Sequence, residues 1–179
     1  MLQVRSIMQE RLDGYISGYV DGEGTFSISV QINPSSNLGI QLIPEFHVSQ
    51  NRDRAEVLEI IRERLGCGTI KSNGKKGDVL VLTVRRHKDL LEKVIPFFER
   101  SPLLSSKQSE FQVFASIVRS MAAGEHLTKD GLRNLLALAL TTNGGGRYRK
   151  RDWMSALDHL ESSETVRQTT IVEDTVRSA

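Results

Sequence analysis

The chain has 179 residues, 39% of them hydrophobic and 26% charged, with a net charge of +2. That is the size and balance of one globular core with or without a small appendage. A near-neutral total neither demands nor excludes nucleic acid, because a binder needs a local basic stripe rather than a basic sum. The single cysteine, Cys67, excludes an intrachain disulfide and cannot build a zinc site by itself; between Gly66 and Gly68 it reads as a small packed residue. Met1 to Arg11 is mixed and charged, without the apolar segment of a secretion signal. No apolar run approaches the roughly 18 residues of a membrane span. The expectation is a soluble, intracellular protein of a reducing compartment, either a bacterial cytoplasm or an organelle matrix (chloroplast or mitochondrion).

In chain order, Asp13 to Gly22 reads as a short helix, with Tyr15, Ile16, Tyr19 and Val20 at helical spacing, Asp13 as N-cap and Gly24 as the stop. The period then changes to two. Phe26, Ile28, Val30 and Ile32 alternate with Ser27, Ser29, Gln31 and Asn33, which predicts a half-buried strand ending in the turn-rich stretch Asn33 to Asn37. Ile40, Leu42, Phe46 and Val48 alternate with Gln41, Glu45, His47 and Ser49, a second strand of the same hairpin, with Pro44 marking a bulge or an edge. Arg54 to Leu65 predicts a helix burying Val57, Leu58, Ile61 and Leu65, capped by Asp53 and stopped by Gly66. Thr69 to Ser72 and Val79 to Val84 form a second hairpin around the Asn73-Gly74 turn. His87 to Arg100 is a helix kinked or ended near Pro96. Further helices follow over Lys107 to Met121, over Leu127 to Leu140 with Thr128 as cap, and over Trp153 to Leu160. Asn143 to Gly146 breaks the chain before the basic run Arg147, Arg149, Lys150 and Arg151, and the end is polar and Thr-rich.

The segment Ile16-Ser17-Gly18-Tyr19-Val20-Asp21-Gly22-Glu23-Gly24 resembles the signature of the LAGLIDADG homing-endonuclease family, with Glu23 in place of the last Asp of the family name. Taken alone it reads as a Gly-rich helix end with incidental acids. The strand that follows, the helix–hairpin–helix–hairpin–helix order, and the landmarks Phe46 to Gln50 and Gly66 to Ile70 reverse that reading. The resemblance covers roughly residues 10 to 120 and is nearest to single-motif, homodimeric endonucleases encoded in group I introns. It implies an α+β fold: an αββαββα core with a saddle-shaped antiparallel sheet and additional C-terminal helices. The expected organisation is a catalytic and DNA-binding core over 1–122, a helical extension packed on it over 123–161, and a flexible polar tail over 162–179.

The motif also has a physical reading. Gly18 and Gly22 are four apart and share a helical face without side chains, so two such faces can approach closely. Glu23 stands where the chain leaves the helix. Pairing two copies would bring two Glu23 carboxylates near one axis, and with DNA phosphate oxygens they make a hard-oxygen environment suited to Mg²⁺, or Mn²⁺ in its place. One motif per chain therefore implies a homodimer, each subunit cutting one strand, with Tyr15, Gly18, Tyr19 and Gly22 at the interface. The resemblance assigns the metal to Glu23 and the Gly22 carbonyl and leaves Asp21 a supporting residue. It places Gln50 in the catalytic water network, Lys107 as the basic residue near the scissile phosphate, with Ser105 the alternative at that position, and Arg54 as an assistant in the solvent network.

The polar positions of the two hairpins supply candidate DNA contacts: Ser29, Gln31, Asn33, Gln41, Glu45 and His47 from the first, and Lys71, Asn73, Lys75, Lys76 and Asp78 from the second. Varied donors and acceptors suit base edges in a major groove better than bare phosphate binding; without the motif the same set reads as the solvated face of an antiparallel sheet. Lys71, Lys75, Lys76 and the run from Arg147 to Arg151 are candidate phosphate contacts. The expected activity is metal-dependent cleavage of a long, pseudo-palindromic double-stranded DNA site. Two other activities fit the same fold: a maturase acting on its own intron RNA, and a DNA-binding regulator without catalysis.

Overall fold

The computed structural model describes residues 2–74 and 77–141, with side chains from residue 6 onward. Lys75, Lys76, the Asn143 to Gly146 break, the basic run to Arg151, the helix expected over Trp153 to Leu160 and the polar tail lie outside the described residues.

The elements run α1 (Leu2–Glu23), β1 (Gly24–Ile32), β2 (Ile40–Asn51), α2 (Glu56–Leu65), β3 (Thr69–Asn73), β4 (Val79–Val84), α3 (His87–Asp89), a π-helical turn (Leu90–Val94), α4 (Ile95–Arg100), α5 (Lys107–Ala122) and α6 (Lys129–Leu140). The class is α+β, and one sheet of four strands has the order β1-β2-β4-β3.

Helix α1 begins at Leu2, well before the expected Asp13. The added residues contain good helix formers and no Gly or Pro, so nothing in them stops the helix. Asp13 is consequently an interior residue rather than a cap. Its carboxylate takes Arg64 of α2 in a two-point ion pair, 2.6 Å to Nε and 2.7 Å to Nη2. Gly24 ends the helix by close approach rather than by a left-handed backbone: a Cβ there would lie 2.5 Å from Val20 Cγ1 and 2.8 Å from the Val20 carbonyl oxygen. Asp53 is not a cap either. It lies in a 3₁₀ turn, Arg52–Arg54, and α2 starts after Ala55 without a side-chain cap. The buried face of α2 is the expected Val57, Leu58, Ile61 and Leu65, and Gly66 closes it in the left-handed conformation at φ 66°.

Strand β2 runs unbroken through Pro44, which stands at a local edge of the sheet, although further on β2 is an inner strand. Pairing with β4 begins only at Phe46↔Val84, so the missing N–H of Pro44 leaves no gap in that ladder. The registers His47↔Thr83↔Thr69, Ser49↔Val81↔Lys71 and Asn51↔Val79↔Asn73 put these residues on one face. Phe46, Val48, Leu82 and Val84 are buried on the other. Upstream of Pro96 the helix widens into the π-turn. That relieves the clash of the ring with a carbonyl one turn back, and it is where the regular helix gives way.

Two compact units divide the chain: residues 1–28 with 44–119, and residues 29–43 with 120–179. In the first, Phe26 anchors an aromatic core, its ring centroid 5.1 Å from those of Phe46 and Phe111, 5.3 Å from Phe98 and 5.4 Å from Phe114. In the second, Asn33 N–H donates to the Gly39 carbonyl at 2.8 Å to close the hairpin turn, and the Thr128 hydroxyl caps α6 by accepting from Gly131 N–H at 3.1 Å. Among the described residues no helix is long and apolar enough to cross a membrane.

Candidate active site and nucleic-acid face

Helix α1 has two unlike faces. Ile16, Ser17 and Val20 are buried, and the Ser17 hydroxyl lies 2.9 Å from the carbonyl oxygens of both Ser101 and Pro102. On the opposite side Ile7, Met8 and Tyr15 are 47%, 67% and 53% exposed, unusual for side chains of that size. Gly14, Gly18 and Gly22 fall in the same stripe at four-residue spacing, and a Cβ added at any of them would meet nothing within 4 Å. The helix therefore presents an open, partly apolar surface whose middle and end carry no side chains.

At the end of that stripe the acids diverge. Glu23 is exposed. Asp21 is engaged: its Oδ2 accepts the N–H groups of Leu104 (3.1 Å) and Ser105 (2.9 Å), and its Oδ1 takes the Ser105 hydroxyl. The Ser105 hydrogen bond is the main cause holding the Asp21 carboxyl below its ordinary value; desolvation opposes it, and the two backbone donors and the Lys107 charge add to the lowering. The Ser105 oxygen in turn accepts from Lys107 N–H at 3.1 Å, at the start of α5.

Lys107 also reaches the end of the motif. Its ammonium donates to the carbonyls of Val20 (3.0 Å) and Gly24 (2.7 Å), the favourable arrangement of a cation at a helix C-terminus. Both candidates for the basic catalytic position thus converge on α1, Ser105 through Asp21 and Lys107 through the joint around Glu23. Gln50 lies in register with Leu80, on the core side of β2 rather than the polar side. Its Nε2 donates to the Tyr19 hydroxyl at 2.5 Å, and its Oε1 accepts the Asn51 N–H at 2.6 Å. Burial, and then the nearby Glu23 charge, push the Tyr19 hydroxyl above its ordinary pKa, while the Gln50 hydrogen bond and Arg54 pull it down. Arg54 is otherwise solvated, 3.6 Å from Asp53.

Glu23 and Tyr19 on α1, with Gln50 and Arg54 from the second helix–hairpin junction, therefore form one neighbourhood. The Tyr19 hydroxyl is the member that helix periodicity could not reveal, since that pattern reads Tyr19 only as an apolar ring. Among the described residues no group of three or more His, Cys, Asp or Glu is arranged to hold a metal ion. One chain offers the Glu23 carboxylate and the neighbouring Gly22 carbonyl, hard oxygen donors of the kind Mg²⁺ takes together with water and phosphate oxygens.

The expected DNA contacts divide between the units. In the first unit, Glu45, His47, Lys71 and Asn73 share the polar face of the sheet, and Asp78 is exposed just before β4. Glu45 is partly committed: His47 Nδ1 lies 3.0 Å from its Oε1, and Arg85 donates to its Oε2. Arg85, with Thr69 and Thr83, belongs to this face and is absent from the expected set; continuing the two-residue period of β4 one step past its end finds it. Thr69, Lys71, Thr83, Arg85, Arg86 and Asp89 line a hollow of about 530 Å³ at the end of the hairpin. In the second unit, Ser29, Gln31 and Gln41 are exposed, and Asn33 donates to Gln41 at 3.0 Å.

A profile described as LAGLIDADG endonuclease matches residues 16–118. Homing endonuclease I-ApeII of Aeropyrum pernix is 28% identical over 110 residues, covering 62% of this chain and 64% of that protein. The crystal structure of a homing endonuclease, I-TnaI, superposes with a TM-score of 0.75 at 35% identity, over 83% of this chain and 97% of its own. The I-LtrWI LAGLIDADG homing endonuclease bound to target DNA superposes with the same TM-score, 0.75, at 30% identity, over 80% of this chain and 49% of its own. The chain spans less than two thirds of the length of the curated relatives it matches.

Proposed function

The chain belongs to the LAGLIDADG endonuclease family, and from that premise we propose that it is a site-specific DNA endonuclease. As a homodimer it makes a staggered double-strand break in a long, pseudo-palindromic target. The observation that carries this reading is the bare Gly14–Gly18–Gly22 stripe of α1, open on its outer side and ending at an exposed Glu23. A second α1 can lie against that stripe with the backbones close, and the twofold axis between them brings both carboxylates to the middle of one DNA site.

Mg²⁺, or Mn²⁺ in its place, would be held by the Glu23 carboxylate and the Gly22 carbonyl with DNA phosphate oxygens, and would supply charge neutralisation and an activated water. The protein's own groups orient the rest. Gln50 directs an N–H toward the attacking water, and Arg54 contributes positive charge from the same neighbourhood. Lys107 fixes the joint that carries Glu23 and adds a cation beside the scissile phosphate. Glu45, His47, Lys71, Asn73, Asp78 and Arg85 from one unit, and Ser29, Gln31, Asn33 and Gln41 from the other, read base edges and phosphates along the major groove. Glu45 reaches a cytosine amino group only by loosening its pairing with Arg85, which makes that contact conditional on the base offered.

The test is Glu23→Gln, a near-isosteric change that removes the charge. It is expected to abolish cutting of a plasmid carrying the uninterrupted host sequence while leaving binding of that DNA within about threefold of wild type, since no base or phosphate contact is lost. Retained cutting would remove Glu23 from the chemistry. A wild-type chain that binds the same DNA and never cuts it would favour the regulator.

A further inference from the structure

We propose that the Tyr19 hydroxyl is a positioning group for Gln50, holding its carboxamide at a fixed place beside the reacting phosphate. This rests on the endonuclease reading above and deepens it.

A glutamine on the core side of a strand is a liability unless both ends of its amide are satisfied. Gln50 occupies such a position, in register with Leu80. Its terminal torsion is broad and roughly twofold, so the side chain alone does not decide whether oxygen or nitrogen points to a given place. One contact makes the decision and a second, from a hydroxyl that can accept or donate, holds the amide in place. The Asn51 N–H can only donate, and it holds Oε1 at 2.6 Å. The Tyr19 oxygen, at 2.5 Å, accepts one hydrogen of Nε2. The remaining Nε2 hydrogen is the one group left to donate. A fixed donor suits a water oxygen or a phosphoryl oxygen gaining charge; an amide that flips would offer a carbonyl oxygen to the same place and repel it.

The location of Tyr19 supports the assignment. It stands one helical turn before Glu23 in α1, and its half-buried ring tilts against Tyr15 with centroids 6.3 Å apart. The hydroxyl therefore sits on a packed helix rather than a mobile loop. Burial and the Glu23 charge keep its proton on, so it accepts from Gln50 as a neutral phenol and retains an O–H for a further acceptor.

The experiment compares wild type, Tyr19→Phe, Gln50→Ala and the double variant on the cleavable plasmid with Mg²⁺. Sedimentation velocity confirms the dimer in each case, since Phe keeps the ring on α1. Tyr19→Phe is expected to lower kcat about three- to tenfold, the scale of one hydrogen bond, with KM and DNA Kd unchanged. In the Gln50→Ala background the same change should move kcat by less than about twofold, because the group being positioned is gone. Independently of cutting, the Gln50 side-chain amide protons, assigned by their loss in Gln50→Ala, should shift in the nitrogen-edited NMR spectrum of Tyr19→Phe. A Tyr19→Phe enzyme that cuts at the wild-type rate, or an equal loss in both backgrounds, overturns the positioning role. A wild-type chain that cuts no DNA overturns the endonuclease reading instead, and the amide shift then still decides whether the contact exists.

Discussion

Asp21 and Glu23 stand two residues apart at the end of α1 and meet different surroundings. Asp21 spends its oxygens on Leu104, Ser105 and the Ser105 hydroxyl, which organises the entry to α5; Glu23 is left to solvent. The Ser105 hydroxyl is the main cause of the lowered Asp21 pKa, so the ionised form is the one the fold favours. The sign follows: a folded value below the ordinary 3.8 contributes stability above that pH, and the contribution fades as pH falls through the lower folded value. Asp21→Asn is therefore expected to cost about 1 kcal/mol at neutral pH, the scale of a helix cap at a solvated position. In urea titrations the gap to wild type should narrow as pH falls below 3.8; a gap of constant size would mean that the charge is not what matters. The separation of the acids into a supporting one and an exposed one was legible in the motif order. The partners were not, because Leu104 and Ser105 lie more than eighty residues away in sequence, at separations of 83 and 84, and no local pattern links them. The same holds for Tyr19 and Gln50, 31 residues apart.

The open face of α1 belongs to the scale of the element. Its glycines lower helix propensity by about 1 kcal/mol each relative to alanine, and among the described residues no neighbour needs the space at Gly18. On the dimer reading a second helix needs it. Gly18→Leu should thus leave the isolated fold intact, stabilised by up to about 1 kcal/mol through helix propensity, while the variant sediments as a monomer and loses cutting. A dimeric Gly18→Leu would show that the helices do not meet there. The elements themselves were well marked in the sequence wherever one face is buried: the α2 stripe, the β2 alternation, the β3–β4 pairing and the Thr128 cap are all where periodicity and capping rules put them. Failures cluster at acids read as N-caps. Asp13 and Asp53 each precede an apolar stripe, but Asp13 is drawn to Arg64 of a distant helix and Asp53 falls in a 3₁₀ turn. Pro44 falls at an edge position as expected, because the pairing with β4 begins only two residues further on, at Phe46.

At the scale of the whole molecule, one chain holds one Glu23, one Gln50 and one sheet with a polar face. On the proposed reading a double-strand break needs two of each, which would make the dimer part of the chemistry and not merely a means of stability. The division of labour leads to mixed dimers. Wild-type chain and Glu23→Gln chain, differently tagged, are co-expressed, and the heterodimer is isolated and given supercoiled plasmid carrying the target with Mg²⁺. If each Glu23 serves one strand, the wild-type dimer yields linear DNA, the Glu23→Gln dimer leaves the plasmid supercoiled, and the heterodimer stops at the nicked circle. A heterodimer that linearises the plasmid as completely as wild type would contradict one carboxylate per strand at the joint of α1 and β1.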